Sequence, residues 1–339
     1  MSGPATMRVM RATRLCIDAL EIVHTPVPVP AAGEILVRIK AVTLNSRDVA
    51  VLTGRYPAEV RTPLIPASDA CGQVVAIGPG TTRFRVGERV IPVFTQGWLA
   101  GMPTPGMRLE RMLGVPLDGV LREYVTLSEE DAVACPEHLS DVEAAALPVA
   151  ALTAWNVLQA GRVAPGSTVL LLGTGSVSLF ALQFAKLAGA KVVVTSASDD
   201  KLRRMAELGA DRTVNRCTEP DWPAAVRAAF DGRGADIVVE TAGTLAQSLR
   251  AAAFGAFVGV VGYTGAFDEP FDLRHLIGGL TRLQGFAPGS RASFEAMNRA
   301  IAAHRLRPVI DRTFRFDDTP QALRHLALGA HVGKVAISL

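Results

Sequence analysis

Val169-Leu170-Leu171-Leu172-Gly173-Thr174-Gly175-Ser176-Val177-Ser178 is the stretch that decides the fold of this chain. Four consecutive apolar residues read as a strand buried on both faces, and they run straight into a Gly-x-Gly turn that opens a helix. The pattern is Gly-x-Gly-x-x-Gly with Ser178 in the last place. The first two glycines permit the tight turn and let backbone approach a pyrophosphate, while Ser176 and Val177 begin a helix whose free N–H groups favour an anion. A glycine pair at a strand end is often only a turn. Here a second apolar strand, Lys191 to Ser196, follows the helix, so the context is that of a dinucleotide site.

Outward from the turn, apolar strands alternate with helices. SVSLFALQFAKLAG, DDKLRRMAELGA, PAAVRAAF and AQSLRAAA read as helices, and KVVVTS, RTVN, ADIVVET and AFVGVVGY as strands. That alternation predicts an α/β, doubly wound parallel sheet covered on both faces. Before it, Asp141 to Ala160 is helix-like. From Met10 to about Thr126 the chain instead shows short β-rich runs with frequent polar–apolar alternation, among them EILVRIKAVTL and GQVVAIG, which suits antiparallel strands with one wet face. Gln96 to Asp118, rich in Gly, Pro and Met, reads as a long loop that could cover a site. The last fifty residues read helix, strand, helix, strand, too few for an independent core, and are expected to pack on the N-terminal part. The expected division is 1–130, 131–289 and 290–339.

The second strand ends on Thr195 and Ser196 where an NAD site usually has an acidic residue for the ribose hydroxyls. Lys201 follows shortly, and Arg216 closes the third strand. Ser196, Lys201 and Arg216 therefore suit a 2′-phosphate, and NADPH is the expected cofactor. Asp199 and Asp200 are read as first-turn residues of the next helix. The plainer alternative for Lys201 and Arg216 is a solvated helix face and a turn.

Composition narrows the class. The 339 residues are 49% hydrophobic, and 35 basic side chains nearly balance 32 acidic ones, so no broad field exists for nucleic acid or an anionic membrane. The four cysteines, at 16, 71, 135 and 217, show no C-x-x-C pair, and the six histidines show no ligand spacing. No secretory pattern is read at the N-terminus, which makes the cytoplasm the expected compartment.

Taken together, EILVRIKAVTLNSRD, PLIPASDACGQVVAIG, AAALPVAALTAWNVL, LLLGTGSVSLFALQFAKLAGAKVVVTS, GRGADIVVETAG, VGVVGYTG and GKVAISL make the chain similar to medium-chain dehydrogenases/reductases, specifically the zinc-independent quinone oxidoreductase, or zeta-crystallin-like, branch. The resemblance spans about Met10 to Leu339. It implies a GroES-like β-rich catalytic domain, completed by the C-terminal tail, beside a Rossmann cofactor domain. It also implies a homodimer in which the sixth sheet strand pairs with its twofold mate. Alcohol dehydrogenases of the family hold zinc through a cysteine and a histidine, and the matching positions here look like Asn45 and Ser68. Both are poor zinc ligands, so no metal is expected.

Without a Lewis acid, a nicotinamide enzyme most easily reduces a quinone or an alkene conjugated to a carbonyl. Tyr56 matches a tyrosine found near substrate in similar reductases, and is a candidate for orientation or protonation, or else a packing residue. Asn45 is a candidate hydrogen-bond donor near the nicotinamide or the substrate oxygen, or else fixes the turn before Asp48. Ala50 stands where the family often has a second tyrosine. Thr153 resembles a threonine that touches the nicotinamide, though a buried threonine bonding its own backbone is equally ordinary. Gly262, Tyr263, Thr264 and Phe286 fall at the carboxyl edge where a ligand should lie, and Arg291 could pair with the pyrophosphate or simply lie on the surface. Phe94, Trp98, Leu99 and Met102 are expected to shape a substrate pocket. An NAD(P)-dependent alcohol dehydrogenase, and a protein that holds NADPH without turnover, are the alternative functions.

Overall fold

The computed structural model describes residues 5–262 and 270–339, and it divides into two compact units, 1–152 with 289–339, and 153–288. The first unit opens with a hairpin of β1 (Thr6–Ala12) and β2 (Leu20–Pro26). Then come β3 (Glu34–Thr43), α1 (Ser46–Leu52), β4 (Asp69–Ile77), β5 (Arg89–Pro92), α2 (Pro105–Glu110), β6 (Tyr124–Ser128), β7 (Ala132–Ala134) and α3 (Asp141–Ala145). Within the stretch 96–118, expected as a loop, Pro105 at the first turn and Thr104, whose side chain accepts from the Met107 N–H, start α2.

The helix-like stretch 141–160 is broken. After α3, Leu147–Ala151 forms a π-helical turn, and α4 resumes at Leu152–Ala160. Pro148 accounts for the break, because it has no N–H for a helical ladder and its ring crowds the preceding turn. Residues 131–152, read from the sequence with the cofactor domain, lie with the first unit. The reason is pairing: β7 joins β5 in register Val90↔Ala134, and the Thr43 hydroxyl donates to the Ala145 carbonyl at 2.9 Å.

The second unit runs β8 (Thr168–Leu172), α5 (Ser176–Leu187), β9 (Lys191–Ser196), α6 (Asp199–Glu207), β10 (Arg212–Asn215), α7 (Trp222–Ala229), β11 (Ala235–Glu240), α8 (Leu245–Ala251), β12 (Ala252–Val260), α9 (Leu273–Gly278) and β13 (Arg282–Gly285). Among the described residues these strands make one parallel sheet in the order β10-β9-β8-β11-β12-β13. Strand order reverses beside β8, which puts the glycine turn at the topological switch of a doubly wound sheet. β8 is buried along its whole length, as its unbroken apolar run requires.

The chain then returns to the first unit through α10 (Arg291–His304), β14 (Ile310–Arg315), α11 (Thr319–Leu328) and β15 (Lys334–Ser338). β15 pairs parallel with β14 and antiparallel with β3, in the order β14-β15-β3-β4-β5-β7. The tail thus supplies part of the N-terminal sheet, and Val335, Phe316, Leu323 and Ile337 enter its core. Among the described residues, no helix is long and apolar enough to cross a membrane.

Candidate functional site

In the second unit, Gly173 sits at φ 78°, in the left-handed region that glycine enters without penalty, and accepts the turn from β8 into α5. A Cβ at Gly175 would meet nothing within 4 Å, and no side chain caps the first turn of α5. Ser176 and Val177 are half-buried there. The turn therefore offers open space beside free N–H groups and the positive end of a three-turn helix, the donor set a pyrophosphate needs. Ser178, in the place of the third glycine, is buried and donates its hydroxyl to the Leu172 carbonyl at 3.1 Å, so it ties helix to strand.

Across the sheet edge, β11 ends in Glu240, 1% exposed. Its Oε1 accepts from the Ala242 and Gly243 N–H groups at 2.7 and 2.9 Å, and its Oε2 accepts from the Ser248 hydroxyl. The Thr241 hydroxyl reaches the Leu172 carbonyl, joining that loop to the glycine turn. Gly262 lies against Thr241, close enough that a Cβ would approach its carbonyl oxygen to 2.3 Å. Phe286 packs edge-to-face on Phe257 at 6.0 Å between ring centroids, and its N–H donates to the Val260 carbonyl at 3.0 Å. Thr153 is buried in α4. Tyr263 and Thr264 lie outside the described residues.

At the end of β9, Ser196 is buried and its hydroxyl accepts from the Ser198 N–H at 3.3 Å. The Arg216 N–H donates to the Ser196 carbonyl at 3.0 Å, which brings the exposed Arg216 beside Ser196. Lys201 is half-buried in the first turn of α6, capped by Ser198. Asp199 and Asp200 also fall in that first turn, where the helix dipole favours them. The Asp199 carboxylate accepts from Asn215 Nδ2 at 2.6 Å, and Asp200 pairs with Arg203.

In the first unit, Asn45 caps α1 and is 7% exposed. Its backbone N–H donates to Asp48 Oδ2 at 2.7 Å. Its side-chain Oδ1 accepts from Lys334 Nζ at 2.7 Å, and its Nδ2 is buried with no partner among the described residues. Lys334, at the start of β15, is 1% exposed and lies 3.4 Å from Asp69 Oδ2. The other oxygen of Asp69 accepts from the Ser68 hydroxyl at 2.9 Å. Burial lowers the Lys334 ammonium's affinity for its proton, against the pull of Asp69 and Asp48. Burial pushes the Asp48 carboxyl up to about 6, despite the Asn45 N–H and nearby cations.

Gly333 explains how a lysine reaches this depth. It sits at φ 114°, and a Cβ there would come within 2.6 Å of the Val309 carbonyl oxygen, so only glycine lets the chain pass.

Tyr56 follows α1 and is half-buried, its ring 4.9 Å from the Arg47 guanidinium carbon. Phe94 lies 5.1 Å from the same carbon, and Arg47 donates to the carbonyls of Leu113 and Val115 at 3.1 and 2.7 Å. Arg47 thus holds Tyr56, Phe94 and the 113–115 loop together. Phe94 and Trp98 are core residues, while Leu99 and Met102 are exposed. Arg291 belongs to this unit, where its guanidinium pairs with Glu130 and lies 3.6 Å from Glu295. Its backbone N–H donates to the Trp98 carbonyl at 2.9 Å, so it anchors the loop.

Sequence reading missed Lys334, Asp69, Arg47 and Glu240. Lys334 had one signal, a lone charge opening an otherwise apolar strand. Arg47 had none, since Phe94 and the Leu113 and Val115 carbonyls that fix it lie far along the chain.

The alcohol dehydrogenase GroES-like domain matches residues 31–137, and the zinc-binding dehydrogenase domain matches 176–303. A zinc-type alcohol dehydrogenase-like protein of Schizosaccharomyces pombe is 37% identical over 91% of both chains. A provisionally named alcohol dehydrogenase of Sinorhizobium meliloti 1021 superposes with a TM-score of 0.94 at 40% identity, covering 100% of each chain. An NAD-dependent alcohol dehydrogenase superposes at 0.89 with 33% identity, over 98% of this chain and 100% of that one.

Proposed function

The chain belongs to the medium-chain dehydrogenase/reductase superfamily and is an oxidoreductase of that family, and from that premise we propose that it is a zinc-independent, NADPH-dependent reductase of quinones or of alkenes conjugated to a carbonyl. The observation that carries the reading is the ammonium of Lys334 at 2.7 Å from Asn45 Oδ1. Zinc in this family would sit where thiolate and imidazole are replaced by Asn45 and Ser68. Amide and hydroxyl are weak ligands, and a buried cation on the amide oxygen is the wrong neighbour for a dication. The donor set does not fit zinc, and no step is routed through one.

The donor set of the second unit does fit a dinucleotide. The open backbone at Gly173, Gly175, Ser176 and Val177 would hold the pyrophosphate, and Ser196, Lys201 and Arg216 would hold the 2′-phosphate. When bound, reduced nicotinamide supplies a hydride to the electron-poor carbon of the substrate. Negative charge collects on the substrate's carbonyl oxygen. Asn45 Nδ2 donates to that oxygen, a buried donor fixed in advance and therefore worth more than the same bond in water. Tyr56, steadied by Arg47, orients the substrate or passes the proton that completes reduction, and Thr153, Gly262 and Phe286 wall the nicotinamide side of the second unit.

The names of the relatives favour a second reading, reversible alcohol oxidation with NAD and zinc. One experiment separates them. Chelator-treated protein is titrated with NADPH and NADH by fluorescence, then assayed for loss of nicotinamide absorbance with panels of enones, quinones and simple ketones. NADPH oxidation by enones or quinones after chelation is the expected result. Activity confined to alcohols or ketones and restored by zinc would establish the dehydrogenase, and binding without turnover on any panel would leave a cofactor-holding protein.

A further inference from the structure

The two ends of the Asn45 amide are used unequally. Oδ1 is bonded to Lys334 at 2.7 Å, whereas Nδ2 is buried and has no partner among the described residues. An unsatisfied N–H in so enclosed a place is uncommon in native proteins, and this one belongs to the residue already assigned to the substrate oxygen. The lysine also decides which end is which. An ammonium carries three donors and no acceptor, so rotating the amide would set Nδ2 against Nζ, donor facing donor. Lys334 is in turn held from behind by Asp69, whose second oxygen is taken by Ser68. Every group in this chain of contacts is more than nine-tenths buried, so its geometry is not renegotiated with solvent.

We infer that Lys334 is a positioning residue: it locks the Asn45 amide so that Nδ2–H2 is the donor kept for a carbonyl oxygen of the substrate. The inference rests on the reading of Asn45 given above and adds the device that makes this asparagine a one-way donor. The positive charge of Lys334 Nζ, set against Oδ1, also draws electron density from the amide, which strengthens the N–H as a donor at the other end. Substrates are thereby restricted to those whose oxygen accepts a hydrogen bond from a neutral donor at the reacting carbonyl.

The test uses three variants of the full-length protein. Asn45→Asp keeps an acceptor for Lys334 but deletes the donor, and is expected to lower kcat for an enone by about a hundredfold with NADPH affinity unchanged. Lys334→Met is expected to lower kcat while leaving NADPH affinity intact, and combined with Asn45→Asp to add little further loss, because both act through one group. Lys334→Gln, which restores a neutral donor, is expected to recover part of kcat over Lys334→Met. Full activity in Asn45→Asp, losses that multiply in the double variant, or no recovery in Lys334→Gln would each overturn the inference.

A readout without turnover keeps it distinct from the reductase reading. With asparagine-selective 15N labelling, the Asn45 side-chain amide is the signal missing in Asn45→Asp. It should move when cyclohexenone is added to the wild type, and should shift or split in Lys334→Met. An amide signal identical in wild type and Lys334→Met sinks the lock even if enones are reduced, whereas a locked amide in a protein that reduces no enone would refute only the assigned reaction. If Lys334→Met does not fold, Lys334→Gln is read against the wild type instead: kcat and the Asn45 amide signal should both change with NADPH affinity intact, and values identical to the wild type would overturn the inference.

Discussion

Asp48 accepts the Asn45 N–H at 2.7 Å and is 2% exposed, and burial raises its carboxyl to about 6. An unfolded aspartate titrates at about 3.9, so between roughly pH 4 and 6 the native chain holds a proton that the unfolded chain has released. Stability from this group is therefore greatest in acid and falls as pH rises through that window, by about 3 kcal/mol in all. Asp48→Asn retains an acceptor and removes the penalty. Urea midpoints measured at about pH 4 and about pH 7 should show the variant gaining on the wild type at the higher pH. Equal midpoint differences at both would mean that Asp48 ionises inside the fold at little cost. At the same scale, Arg216→Ala should weaken NADPH by about tenfold to a hundredfold, the worth of one charge-assisted hydrogen bond, and leave NADH nearly unchanged. Equal losses for both cofactors, read by fluorescence titration, would take the 2′-phosphate from this arginine. The glycine turn was legible in the sequence because its meaning is local: a strand, two glycines and a helix within ten residues. Lys334 was not, because its partner Asn45 stands 289 positions away, and only the pairing of β15 with β3 joins them.

Elements show where local patterns suffice and where they do not. The parallel strands were readable as apolar runs, since a strand covered on both faces has no polar side to hide. The π-helical turn at Leu147–Ala151 was not readable from periodicity, because the apolar residues continue through it without a change of composition. Loop 241–244 is a further case, since its order comes from one buried side chain. Glu240→Ala would leave at least two backbone N–H groups and the Ser248 hydroxyl without their acceptor, for a cost of about 3 kcal/mol or more. Thermal unfolding should register that loss, and NADPH affinity should fall with it, because the same loop is tied through Thr241 to the glycine turn. A variant with unchanged melting temperature would mean that the loop finds its conformation without Glu240.

For the whole molecule, β13 pairs only with β12 among the described residues, and each of its four residues is exposed. Leu283 within it, and Ile277 and Leu280 just before it, leave apolar surface open. An unpaired, partly apolar edge strand is a natural template for a second copy. We propose that two chains join there. Sedimentation equilibrium should give twice the chain mass for the wild type and a lower average for Ile277→Glu/Leu283→Glu. A variant still fully dimeric would move the interface elsewhere. The division into two units was visible as a change of pattern near Ser140, but its position was not: residues 141–152 carry helical composition and yet belong, with 131–140, to the β-rich unit through contacts made by β7 and α3.

β15 has a consequence in time as well as in space. A ribosome making this chain emits all of 153–288 before it reaches Lys334, so the nicotinamide-binding half can be complete while the sheet of the first unit still lacks the strand between β14 and β3. On the reading above, a nascent or truncated chain of that length would take up NADPH and return nothing. On the same reading, the last strand to be made is the one that brings Lys334 to Asn45, so the donor is fixed only when the chain is whole.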